Sequence, residues 1–280
     1  MALPPYTSPL ERTWYYGFRI ICVLIFIFLI APIVVIVPLS FNSEPYFTYP
    51  MPGYSLRWYE VIFGDSPQSL LWQRSIQNSV IVGAGATALA TALGTLAALG
   101  LNRANFPFKG GVMAVLISPM IVPLVVTAVG MFYFYAQIGL ASTLPGIVLA
   151  HTALGVPFVV ITVTATLAGF DQNLVRAGAI LGAGPMRVFF TVTLPLILPG
   201  VVSGALFAFA TSWDEIVVVL FLASTEQHTI PRRMWSGIRE LINPTITAAA
   251  TMLIGLSVLL MLAMEMLRRR GERLRGVAPT

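Results

Sequence analysis

The sequence predicts an all-α, polytopic membrane protein with six transmembrane helices, and two observations carry that expectation. Of its 280 residues 57% are hydrophobic and 10% charged, where a soluble domain would carry about 25% charge. Six stretches are also long and apolar enough to cross a hydrocarbon core, which takes about 20 mainly apolar residues at about 1.5 Å rise each. They are Ile20 to Leu39, Ser79 to Leu101, Val112 to Ala136, Leu144 to Ala168, Leu198 to Leu222, and Thr245 to Leu267. A single transmembrane domain over 1–280 is expected: a first helix at 20–40, an outer interfacial segment at 41–78, core helices at 79–268 with a loop at 170–197, and a basic tail at 268–280.

The first span follows Arg12 and Arg19 and imitates a signal peptide. Its length of about 20 residues and the mid-span Ala31-Pro32 argue for an uncleaved helix. With the N-terminus inside, eleven of the sixteen Lys and Arg residues fall on the inner side, among them Arg103, Lys109, Arg176, Arg187 and Arg275. The outer side receives the other five, Arg57, Arg74, Arg232, Arg233 and Arg239. This asymmetry follows the positive-inside rule and puts both termini in the cytosol. It also accounts for the basic isoelectric point of 9.7 without nucleic acid. The one cysteine, Cys22, lies within the first span, so no intrachain disulfide is possible.

The outer segment carries Tyr46, Phe47, Tyr49, Tyr54, Trp58, Tyr59, Phe63 and Trp72, amphipathic rings that favour the headgroup level. The second span repeats small residues at Ala86, Ala90, Gly94 and Ala98, a stripe that lets helices approach closely in lipid. In the third span Pro119 and Pro123 interrupt the middle, where the freed backbone groups need partners or a wet cavity. His151 stands alone near the outer end of the fourth span, with no His, Cys or carboxylate at metal-ligand spacing, so no metal is expected. In the second outer loop Thr229-Ile230-Pro231 reads as a helix start. Met234, Trp235, Ile238, Leu241 and Ile242 then share one face opposite Arg232, Arg233, Arg239 and Glu240.

Asp214 and Glu215 are the acidic pair well inside a span, at a cost of about 2.5–3.5 kcal/mol for a charge at the bilayer centre. Ser212-x-x-Glu215 fits a capping box, which predicts a broken fifth helix restarting near Ser212. Glu215 then serves the cap and is itself a candidate for the translocation pathway, while Asp214, with Trp213 beside it, faces that pathway and offers a cation a carboxylate and a ring face.

The loop from Arg176 to Pro195 reads as a helix, a Gly182-Ala183-Gly184 break, and a second helix opened by Pro185 and stopped at Pro195. Its apolar side chains lie in a cytosolic loop and must pack under their own bundle or enter a cleft of another protein. The segment resembles the loop of importer-type ATP-binding-cassette (ABC) permeases of the binding-protein-dependent, MetI-like family. That pattern is Glu-Ala-Ala, three residues, Gly, nine residues, Ile-x-Leu-Pro. Ala177, Gly182, Leu194 and Pro195 match it, Val192 stands for the isoleucine, Arg176 replaces the glutamate and Gly178 the second alanine. The likeness runs over most of residues 55–268. Ser212 to Val218, Thr229-Ile230-Pro231, Trp235 to Arg239 and Asn243-Pro244-Thr245 resemble the second permease subunit of spermidine/putrescine-type importers.

The resemblance implies a type I importer permease fold and a coupling loop that fits a groove on an ATPase, centred on Arg176, Ala177, Gly178, Leu181, Gly182, Ala183, Gly184 and Pro185. It implies as partners a second, homologous permease, two ATP-binding cassettes, a periplasmic solute-binding protein and the lipid of a bacterial inner membrane. The cargo would be a small cation such as a polyamine, or a related amine, opine or amino-acid derivative. A phosphate-binding loop needs Gly-Lys-Ser/Thr, and the one lysine, Lys109, follows Phe108. ATP and Mg are therefore expected on the partners, with no cofactor and no catalytic residue in this chain. The alternative, a secondary transporter or channel without an ATPase, calls for several intramembrane ionisable groups or inverted repeats; the sequence offers one acidic pair.

Overall fold

The computed structural model describes residues 8–102, 107–240 and 242–274. Arg103, Leu241 and Arg275 to Thr280 lie outside the described residues, as does the apolar role expected of Leu241. Among the described residues the one extended pairing is a bridge between Asn42 and Tyr54.

Helix α1 (Pro9–Leu39) starts well before Ile20, because Ser8 and Glu11 form a reciprocal cap: the Ser8 hydroxyl accepts the Glu11 N–H and the Glu11 carboxylate accepts the Ser8 N–H. None of its residues is buried, and it packs on the last helix. The segment at 41–78 is partly helical. It contains α2 (Arg57–Phe63), and from Pro67 onward it is already α3 (Pro67–Leu101), started by the Ser66 hydroxyl accepting the Ser69 N–H. Trp58 and Ile62 of α2 turn inward, and the Trp58 indole donates to the Asn42 carbonyl at 2.6 Å.

The expected third span is two limbs, α4 (Lys109–Ile121) and α5 (Leu124–Gln137), bent by 105°. Pro123 pushes Val122 out of the helical region to φ −70°, ψ 135°, and the chain turns there. Among the described residues five helices are long and apolar enough to cross a membrane, and the count reaches six with this bent pair taken as one span.

Helix α6 (Leu144–Ala168) is the most buried and packs against both α3 and α9. After it come α7 (Gln172–Ile180), α8 (Pro185–Val188), a π turn over Phe189–Thr193, and α9 (Leu194–Trp213). Pro195 does not stop the second piece of the loop. The wider π turn hands the ladder on, the Leu194 N–H reaching Phe189 O, so the missing N–H of Pro195 is absorbed and helix runs unbroken from Pro185 to Trp213. The fold closes with α10 (Val217–Leu222), α11 (Ile230–Glu240) and α12 (Pro244–Leu274).

Small residues hold α3, α6 and α9 together. Ala86, Ala90, Gly94 and Ala98 are all buried, as the stripe predicts. A Cβ on Gly94 would stand 2.6 Å from Val159 Cβ, and one on Gly204 2.7 Å from Val159 Cα. The α7–α8 hairpin joins one end of this trio; α2, α10 and α11 gather at the far end.

Candidate functional site

Two places collect the residues singled out in the sequence: the hairpin between α6 and α9, and the break between α9 and α10.

The hairpin begins where Asp171 caps α7, its carboxylate accepting the Asn173 N–H at 2.9 Å. Its end is a Schellman turn: the Gly182 N–H reaches Ala179 O and the Ala183 N–H reaches Gly178 O, with Gly182 at φ +80°. Gly184 and Pro185 then open α8. Gly178, standing where the family pattern has alanine, lies against Val188: a Cβ there would come within 3.0 Å of Val188 Cγ2. Its loss of a methyl lets α7 and α8 close on each other. Arg176 and Ala177 are exposed on α7, Gly178 and Ala183 are half-buried inside the turn, and Leu181, Gly182, Gly184 and Pro185 are exposed at the tip. Ile180 and Leu181 are 85% and 86% exposed and Met186 69%. The chain does not fold this apolar tip under its own bundle.

At the far end α9 and α10 are separated by Asp214, Glu215 and Ile216. The helix breaks as expected, but Ser212 does not cap the restart. Glu215 does it alone: its carboxyl oxygens accept the N–H groups of Val217 (2.7 Å), Val218 (2.9 and 3.0 Å) and Val219 (3.3 Å). Ser212 Oγ is instead 2.8 Å from His151 Nδ1. His151 Nε2 in turn faces Glu215 Oε2 at 3.5 Å. His151 is thus not the solitary residue the sequence suggests, and all three groups are buried. They form a buried polar tie between α6 and the break. The signal for it was thin, a histidine and a serine 61 positions apart.

The three pathway candidates, Trp213, Asp214 and Glu215, stand in different surroundings. Trp213 stacks on Phe209 with centroids 5.4 Å apart and belongs to the core cluster of Trp58, Trp72, Ile230 and Ala248. Glu215 is used by the backbone. Asp214 alone of the three is exposed.

Beside the break, the outer loop is pinned to α3. Asn78 Nδ2 donates to Glu226 O at 2.8 Å and His228 O at 3.1 Å, and Ser79 Oγ accepts the Ile230 N–H that opens α11. Thr229, the expected cap, has a buried hydroxyl with no partner among the described residues. Burial, with Arg232 and Arg233 close by, lowers the His228 pKa to about 4.

Known proteins share this plan. The chain is 32% identical over 89% of its length to the spermidine/putrescine transport system permease protein PotC of Haemophilus influenzae, covering 95% of that protein. It is 33% identical to the putrescine transport system permease protein PotI of Escherichia coli over 85% of each chain. Among solved structures, a bacterial ABC transporter that imports the acidic polysaccharide alginate superposes with a TM-score of 0.72 at 14% identity, covering 95% of this chain and 99% of the other. The MetNI methionine ABC transporter gives 0.60 at 18% identity, covering 74% and 99%. These likenesses carry the fold: a type I ABC importer permease. Residues 90–273 match the binding-protein-dependent transport system inner membrane component, and with the relatives above that match makes this chain a member of the family.

Proposed function

We propose that the chain is one of two permease subunits of an ABC importer for small organic cations of the polyamine class, driven by ATPases that seat on the α7–α8 hairpin. The observation that carries this reading is the apolar tip of Ile180, Leu181 and Met186, held out from the bundle by the Gly182 turn. A loop with that much exposed apolar surface gains most by entering a partner's groove. Two ATP-binding cassettes, with ATP and Mg, supply the motion; a homologous permease completes the path, in a heterodimer. A periplasmic solute-binding protein delivers the cargo to the outer loops, and both termini face the cytosol of a bacterium with this inner-membrane complex. The chain itself performs no catalysis.

Asp214 faces the route and favours a cation; Trp213 and Glu215 hold the break that presents it. The polyamine class is supported by the substrates named for the two relatives and by this acidic group, with opines and amino-acid derivatives as the neighbouring possibility.

The test is co-purification of the ATPase with a Leu181→Ser, Met186→Ser chain, together with solute-stimulated hydrolysis. Loss of both supports the docking. Unchanged association and hydrolysis overturn it, and uptake by the purified chain in liposomes without nucleotide would establish the channel or secondary-transporter alternative.

A further inference from the structure

We propose that His151 is a positioning residue for solute transfer: from α6 it fixes where the α9–α10 break falls and so holds Asp214 on the accessible side. The inference deepens the reading of Asp214 given above and rests on it for its consequence in transport, not for its geometry.

The geometry is one of shared anchoring. The last residue of α9 is Trp213, and the Asp214 N–H still bonds back to Ala210 O at 3.3 Å. Helix resumes only where Glu215 gathers the N–H groups of Val217, Val218 and Val219. Asp214 sits between these two bonded units, and a slide of the break by one residue would turn its side chain by about 100° around the helix axis. Glu215 holds the restart from within the same segment, so it cannot by itself fix the segment against the rest of the bundle. His151 supplies that reference. Its side chain is buried on the central helix, one ring nitrogen on Ser212, one residue before the end of α9, and the other facing Glu215, two residues before α10. Since the Glu215 oxygens already accept backbone N–H groups, the ring proton belongs on Nε2 toward them and Nδ1 accepts from the Ser212 hydroxyl. One imidazole therefore reads both sides of the break.

The two nitrogens can be separated by substitution. An Asn amide reaches the Nδ1 position and a Gln amide the Nε2 position. With the full importer assembled in membrane vesicles and Cys22 replaced by serine, Asp214→Cys reports the site through its rate of modification by a membrane-impermeant maleimide. The proposal expects His151→Ala and His151→Asn to change that rate by about fivefold or more, and His151→Gln to restore it. In chains retaining Asp214, His151→Ala should raise the KM for uptake with the maximal rate falling less, again restored by Gln. Should His151→Ala not accumulate in the membrane, His151→Asn, which keeps the Ser212 contact but lacks the one to Glu215, takes its place with the same expectation. An unchanged labelling rate in a chain that assembles normally overturns the positioning role. Normal uptake by Asp214→Asn overturns instead the placing of Asp214 on the route, and leaves the labelling result to decide His151 separately.

Discussion

Adding one methyl at Gly204 is the sharpest test of how the bundle is held together. The ideal Cβ would lie 2.7 Å from Val159 Cα and 2.5 Å from Thr162 Oγ1, both on α6. Thr162 can turn away, but Val159 Cα is backbone and cannot. To reach an ordinary separation of 3.4 Å the two helices must part by about 0.7 Å, and the same Val159 is wedged against Gly94 of α3 on its other side. Overpacking of this kind costs about 1–3 kcal/mol, and here it falls on all three core helices at once. Gly100, near the end of α3, is the control: a Cβ there meets nothing within 4 Å, so Gly100→Ala should be neutral or stabilising by a few tenths to about 1 kcal/mol. Thermal unfolding of the purified complex in detergent should therefore move the two variants in opposite directions. If Gly204→Ala melts with or above Gly100→Ala, the close approach of α9 to α6 is not what the packing shows.

Three further outcomes follow from the same geometry. Glu215→Ala removes the acceptor for three N–H groups at the start of α10, two of them buried, and should cost about 1–3 kcal/mol, read as a lowered melting point; an unchanged melting point would refute the cap. His228, with a pKa of about 4 in the folded loop against about 6.5 in an unfolded chain, must gain a proton on opening at intermediate pH. The loop's stability should then be full above about pH 6.5 and fall as pH drops toward about 4, since the unfolded state binds more protons in that window. Proteolysis between Ser224 and Glu240 should accelerate over that range and lose the dependence in His228→Gln; an identical profile in the variant would exclude His228 as its source. Gly182→Val should strain the hairpin by about 1–2 kcal/mol through its left-handed backbone alone, because its Cβ would meet no neighbour. Hydrogen exchange at Leu181 and Ala183 reads this, and protection equal to the native chain would count against the turn.

Much of this molecule is legible in the order of its residues. Composition and apolar runs give the spans; Gly182 and Pro185 give the hairpin; the acidic pair flags the break in the fifth span. What escaped depends on contacts far apart in the chain or on competition between nearby signals. Ser212-x-x-Glu215 satisfies the spacing of a capping box, yet the serine is claimed by His151 from another helix and the glutamate reaches forward rather than back. Trp213 stands beside Asp214 in sequence, but its large ring gains more against Phe209 and the tryptophans of α2 and α3 than at an exposed wall. Pro195 looks like a stop, and a π turn four residues earlier cancels it. Thr229 looks like a cap, and Ser79 of α3 takes that place.

The absorbed proline has a mechanical consequence. From Pro185 to Trp213 the backbone is one rod of 29 residues, about 43 Å long at about 1.5 Å per residue. Its near tip is the exposed turn and its far tip ends at Asp214. A displacement of the turn would reach Asp214 along continuous helix rather than through loops, and the two irregular points on that line are the widened coil at Phe189 to Thr193 and Pro199.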